Sequence, residues 1–193
     1  MKIIKNEAQF IIPSFLCILF FILINLNSFY LISDFSYWST YLFNQPYRIL
    51  SYSFVHNDLN HLLSNLFGII VIRYCFIKLK LKNIFLFFYL IILLIPLQTF
   101  YLFILDNFLL YNPNRLLVGF SGIIFGTFTF ILLSSLYGKD YFLNIFIGLK
   151  KNLEIHNLMT VFLSLGIVYS LLPRISLSGH LAGIFSGLII FIL

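Results

Sequence analysis

The chain has 193 residues, 61% hydrophobic and only 9% charged, with a mean hydropathy of +1.03. Soluble domains carry roughly 25% charged residues, so this composition excludes a water-soluble globular protein and points to a polytopic membrane protein in a lipid bilayer. The formal net charge of +6 would suit nucleic acid in a soluble chain; here the informative quantity is which loops hold the cations, and no nucleic-acid partner is expected.

Lys2 and Lys5 precede an apolar stretch from Phe10 to Leu31. A signal peptide would begin similarly, but the stretch is of span length and no small-residue cleavage site follows it. It reads as a retained first helix over about 10–31. Further apolar runs lie at 60–77, 84–105, 117–137, 157–172 and 176–193. The fifth is short, and the sixth reaches about 27 Å at helical rise, barely enough to cross. Six spans are expected; a five-span reading would merge or discard the fifth. Nearly every segment lies in or beside an apolar run, so residues 1–193 read as one membrane domain. Cys17 and Cys75 fall inside apolar runs and read as packing residues, neither a metal site nor a disulfide framework.

The loops set the orientation. With the N-terminus inside, inner segments hold Lys2, Lys5, Lys78, Lys80, Lys82, Lys139, Lys150 and Lys151, while outer segments hold Arg48, Arg115 and Arg174. This asymmetry follows the positive-inside rule and rejects the reverse topology. Arg73 lies near the inner end of the second span. The outer segment 32–59, with Trp38 and other aromatics, is expected at the interface. The inner segment 138–156 is basic and aromatic, suited to lipid headgroups.

Three polar clusters interrupt the apolar pattern, and polar groups within spans are costly enough to raise functional hypotheses. His56, His61 and Asn65 stand at the outer end of the second span, with His61 and Asn65 four apart on one helical face. Both can donate hydrogen bonds, although a His and an Asn are also ordinary at a helix entrance near water. Gly119-Phe120-Ser121-Gly122 opens the fourth span. A Ser at a helix start between glycines has free backbone N–H groups beside it and room for a substrate, although Gly and Ser are also common where membrane helices pack. Ser178-Gly179-His180-Leu181-Ala182-Gly183 opens the sixth span, where His180 needs a partner or water; a structural His bonded to a carbonyl is the plainer alternative.

Alternation of spans places the starts of the second, fourth and sixth at one membrane face. Gly122 and Gly126, and Gly179, Gly183 and Gly187, recur every four residues and permit close helix contact, which would bring Ser121 within reach of His180. A Ser–His pair suffices as nucleophile and general base. No carboxylate fits as a third member, because Asp34, Asp58, Asp106 and Asp140 are expected in loops. His180 would then be oriented by packing, for example on Phe125, one turn below Ser121. The oxyanion donors would be the Ser121 N–H, His61 and Asn65.

These residues together resemble the rhomboid intramembrane serine proteases. The resemblance rests on His56, His61 and Asn65 as H-x4-H-x3-N, on G-x-S-G at 119–122, and on G-H-x-A-G-x-x-x-G at 179–187, in that order on spans two, four and six. Tyr47-Arg48-Ile49-Leu50 looks like the family's aromatic-Arg element, with Tyr47 where Trp is usual. Phe125 stands where the family has an aromatic under the base, without the hydroxyl often found there.

The motifs cover about 46–193. The resemblance implies an all-α, six-transmembrane-helix rhomboid-like bundle with a site open to water from the outer face. It further implies a serine endopeptidase that cleaves transmembrane segments of protein substrates through Ser121 and His180, with His61 and Asn65 at the oxyanion and His56, Gly119, Gly122 and Phe125 in support. No metal or organic cofactor is called for. The alternatives are a catalytically inactive rhomboid-like protein that binds membrane helices, a processing enzyme trimming sorting helices, and a small transporter or channel subunit lined by His61, Asn65 and His180. A bacterial plasma membrane is the expected location, from the compact core and the lack of an evident organelle-targeting extension.

Overall fold

The computed structural model describes residues 2–26, 31–81, 83–172 and 175–193, with side chains from Glu7 onward. Residues 27–30 of the expected first span, the cations Lys82 and Arg174, and the side chains of Lys2 and Lys5 lie outside the described residues. Six long helices carry the fold: α1 (Lys2–Leu26), α4 (Leu59–Lys78), α5 (Leu86–Ile104), α6 (Ser121–Tyr137), α7 (Leu153–Tyr169) and α8 (Leu177–Ile192). The chain is an all-α membrane protein. Glu7–Leu26, Leu59–Lys78 and Leu86–Leu109 are long and apolar enough to cross a membrane by themselves. The other three have 17, 17 and 16 residues. At helical rise they reach about 25 Å, short of a hydrocarbon core of about 30 Å.

Several boundaries differ from the sequence expectation: α1 already begins at Lys2, not at residue 10, and three others have a local cause. The fourth span starts at Ser121, not 117, because Leu116–Leu117 forms strand β2, paired antiparallel with β1 (Tyr37–Trp38), and Gly119 turns the chain at φ 116°. The apolar side chains of residues 116–120 belong to that turn, not to a helix. The fifth span starts at Leu153, not 157: the Asn152 side chain caps it by accepting from Ile155 N at 3.1 Å, so its polar first turn is helical all the same. The third span runs past residue 105 through a π-helical turn, Leu105–Leu109. Asp106 is therefore not a loop residue. It is fully buried in that turn, facing Tyr37 and Arg115.

Segment 32–59 folds onto the bundle end through α2 (Ile32–Phe35), a 3-10 turn (Ser39–Tyr41) and α3 (Arg48–Ser51). Arg48 is the staple. Its Nη1 donates to the carbonyls of Ser33 (2.6 Å) and Ser36 (2.7 Å), its Nε donates to Gln45 Oε1 (2.6 Å), and its guanidinium lies against the Trp38 and Tyr47 rings. Segment 138–156 contains a hairpin of β3 (Lys139–Phe142) and β4 (Ile145–Leu149), whose Lys139 Nζ donates to the Phe191 carbonyl near the end of α8. At the same end of the bundle Arg73 forms a two-pronged ion pair with Glu7, joining α4 to α1 at 2.6 and 2.7 Å.

α6 is the central helix. Residues 122–131 are buried without a break, so it is apolar all round, as a helix wrapped by neighbours must be. Thr127 and Thr129 donate to carbonyls one turn back, as does Ser186 on α8. α7 instead buries a single stripe, Ile155, Met159 and Leu163, at i, i+4 and i+8.

α8 packs on α6 backbone to backbone. A Cβ on Gly183 would collide with the Gly122 carbonyl, and one on Gly187 with the Gly126 carbonyl. Such a contact exists only between residues without side chains, and neither carbonyl can swing aside without breaking α6. Gly187→Leu, well away from Ser121, is therefore expected to destabilise the protein by about 3 kcal/mol or more. The measurement is the unfolding midpoint in detergent; a midpoint equal to wild type would show that α6 and α8 are not in backbone contact.

Candidate active site

The site is assembled at the end of the bundle where α4, α6 and α8 begin. The chain enters α6 through a braced loop. Gly119 N donates to the Tyr52 carbonyl at 2.9 Å, and the Tyr52 hydroxyl accepts from Gln98 Nε2 (2.5 Å) and lies 3.2 Å from Thr99 Oγ1 on α5, whose own hydrogen goes to the Ile95 carbonyl. Ser121 follows as the first residue of α6, half-buried. Its backbone N–H belongs to the first turn, where no intrahelical carbonyl is available.

His180 is the fourth residue of α8, a helix capped by Ser176, whose hydroxyl accepts from Gly179 N at 3.0 Å. The His180 Nε2 lies 3.0 Å from Ser121 Oγ. The Phe125 ring stacks on the imidazole with centroids 4.1 Å apart and planes 8° from parallel. The other ring nitrogen, Nδ1, lies 2.5 Å from the hydroxyl of Ser170, the residue that ends α7. Sequence reasoning missed Ser170. The signal was there: Gly166 and Ser170 are four apart, the same small-residue spacing that marked α6 and α8.

His61 and Asn65 occupy one face of α4, held at its start by Asp58, whose carboxylate accepts from His61 N at 2.8 Å. Both abut Gly119. A Cβ there would sit 2.5 Å from His61 Nε2 and 3.5 Å from Asn65 Nδ2. The space beside Gly119 is thus filled by the His61 ring. Asn65 is 2% exposed, yet its Nδ2 has no hydrogen-bond partner. A buried amide donor left unpaired is costly, and it lies one helical turn from His61 beside the Gly119–Ser121 turn.

His56, in the loop ahead of α4, donates from Nδ1 to the Phe54 carbonyl at 3.1 Å and meets the His61 ring edge-on at a centroid distance of 5.0 Å. Burial, with the His61 ring as the second cause, pushes its pKa down to about 4, so it is a neutral spacer behind His61. Gly122 sits against Gln98 Oε1 and the Gly179 carbonyl, so a side chain there would separate α6 from both α5 and α8. Among the described residues no three His, Cys, Asp or Glu side chains cluster as a metal site would require.

The sequence model of the Rhomboid domain matches residues 44–193. The chain belongs to the rhomboid family. A comparison with curated proteins finds no match. The family match spans α3 to α8 and every residue of the constellation above. In this rhomboid, Arg48 and its aromatic neighbours Tyr47 and Trp38 anchor segment 32–59 over the same end of the bundle.

Gly119 carries two demands at once, a positive φ and an empty Cβ position. Gly119→Ala is expected to cost about 1–3 kcal/mol of backbone strain and to displace the His61 ring. The check is the unfolding midpoint together with the histidine ring resonances; unchanged values for both would remove His61 from the place described here.

Proposed function

We propose that this rhomboid is a serine endopeptidase that cuts transmembrane segments of membrane proteins, with Ser121 as nucleophile and His180 as general base. Rhomboids are generally intramembrane serine proteases acting on transmembrane substrates. The observation that carries the proposal for this chain is the 3.0 Å contact between Ser121 Oγ and His180 Nε2. That distance is the reach of a nucleophile–base hydrogen bond.

In the proposed reaction, His180 Nε2 removes the Ser121 hydroxyl proton as Oγ bonds to the scissile carbonyl carbon. The carbonyl oxygen takes the negative charge and is held by the Ser121 N–H, the His61 ring and the Asn65 amide. Collapse breaks the C–N bond, and His180 returns its proton to the leaving amine. Water then attacks the acyl-enzyme, giving its proton to His180; Oγ leaves, retakes that proton, and the new carboxyl end departs. The unpaired Asn65 donor supports this assignment, because a donor kept without a partner is ready for an acceptor that arrives with the reaction. Neither a metal nor an organic cofactor enters any step.

The substrate backbone must be exposed for attack, so a local break in its helix is required. Water reaches the site from the face where Ser121 and His61 are half-buried. We assign that face to the outside and the N-terminus to the cytoplasm of a bacterial plasma membrane. Lys78, Lys80, Lys139, Lys150 and Lys151 follow the far ends of α4 and α6, whereas Arg48 and Arg115 lie at the Ser121 end. We also take α1 as part of one membrane domain with the rest, as its Arg73–Glu7 pair with α4 supports. A protein that only bound membrane helices would have no use for the Ser121–His180 contact.

The test is labelling of the purified protein in detergent by a fluorophosphonate probe. Wild type is expected to label, and Ser121→Ala and His180→Ala are not; equal labelling of wild type and Ser121→Ala would sink the proposal. Asn65→Ala is expected to lower kcat on a reconstituted transmembrane substrate by roughly 100-fold with little change in KM.

A further inference from the structure

We infer that Ser170 is a positioning residue for His180, fixing the ring tautomer in which Nε2 is free to take the proton of Ser121. The inference rests on the protease reading above and adds a third member to its dyad.

The direction of the hydrogen bonds follows from proton counting. Ser170 Oγ lies 2.6 Å from the Gly166 carbonyl and 2.5 Å from His180 Nδ1. A hydroxyl has one hydrogen, and a carbonyl can only accept. The Ser170 hydrogen therefore goes to Gly166, and the bond to the ring requires His180 Nδ1 to be the donor. An imidazole protonated at Nδ1 presents a lone pair at Nε2, the nitrogen facing Ser121. The back-bond to Gly166 is the same device by which Thr127, Thr129 and Ser186 satisfy their hydroxyls. At Ser170 it also points an oxygen lone pair at the base. When His180 takes the second proton, the same oxygen accepts from a cationic ring, and that bond strengthens as the charge develops.

The rest of the α7 end is built around the same ring. A Cβ on Gly166 would run into the tip of the Phe125 ring, which stacks on His180. Gly166 thus leaves room for the ring that stacks on His180, and Ser170, one turn beyond Gly166, meets His180 Nδ1. Ser170 is 3% exposed, so water does not compete for Nδ1. The other titratable group facing His180 is His61 on α4.

The experiment is the pH dependence of the fluorophosphonate labelling rate, measured on the full chain in detergent for wild type, Ser170→Ala, Ser170→Cys and Ser170→Thr. Loss of the acceptor destabilises the cationic ring, so the acid limb of the profile is expected to move down by about one pH unit in Ser170→Ala. The plateau rate is expected to fall about tenfold as the wrong tautomer becomes populated. Ser170→Cys keeps the volume and weakens the acceptor, and is expected to behave like Ser170→Ala even if the latter fails to fold. Ser170→Thr keeps the hydroxyl and is expected to restore the wild-type acid limb. A lowered rate with an unmoved acid limb in both Ser170→Ala and Ser170→Cys would make Ser170 a packing residue and overturn the inference while leaving the protease intact. Wild-type labelling no faster than Ser121→Ala would overturn both readings together.

Discussion

The carbonyl oxygens of Gly122 and Gly126 on α6 occupy the space that side chains at positions 183 and 187 of α8 would need. In lipid there is no hydrophobic drive to press one apolar helix onto another, so association depends on how closely the surfaces fit. Glycines on both sides let the two backbones touch, and the approach fixes the separation at one value. Ser121 stands one residue above Gly122 and His180 three residues above Gly183, so the contact that holds α6 to α8 also sets the distance from Oγ to Nε2. The same contact explains why α6 tolerates Thr127 and Ser134 at full burial. It is enclosed by protein on every side, and its hydroxyls never face lipid.

At the Ser121 end of the bundle, hydrogen bonds tie the loops to the helices. Arg48 is satisfied by the carbonyls of Ser33 and Ser36 and by Gln45, and Tyr52 by Gln98 and Thr99. This network braces the loop that delivers Gly119 to its positive φ, and so keeps Ser121 in register with α4 and α8. The Asn65 amide is left out of it. Its vacancy lies where charge would develop in acyl transfer, as expected of a preorganised donor that needs no rearrangement when the reaction begins.

Much of this geometry was legible in the sequence because it follows from periodicity. His61 and Asn65 are four apart on a helix, the glycines of α6 and α8 repeat every four, and alternation of spans puts three helix starts at one face. Phe125, four residues after Ser121, lies under the base for the same reason. What escaped depends on contacts between distant segments or on local backbone geometry without a period. Residues 116–120 are apolar and look helical, yet pairing with Tyr37–Trp38 makes them a strand and a turn. Asp106 looks like a loop residue, yet the apolar residues around it continue the third span through a π turn. The β3–β4 hairpin shows in the sequence only as basic and aromatic composition. Ser170 reads as a polar residue at the end of a short span, and its partner is known only once α7 is laid beside α8.

The absence of a carboxylate behind His180 has a physical logic in a membrane. A carboxylate in that position would have to be ionised to orient the ring, and an ion carried into a low-dielectric bundle is expensive unless fully paired. Once the ring took a second proton, a carboxylate would stabilise it strongly, but between turnovers it would stand as a buried charge beside a neutral ring. A hydroxyl that already donates to its own helix has no net charge to bury and only one orientation left for its lone pair. It selects the tautomer as a carboxylate would, and the stacked Phe125 ring offers its negative face to the cation when it forms. In the proposed mechanism Ser170 and Phe125 thus orient His180 by packing and one neutral hydrogen bond, at a desolvation cost a membrane helix can carry.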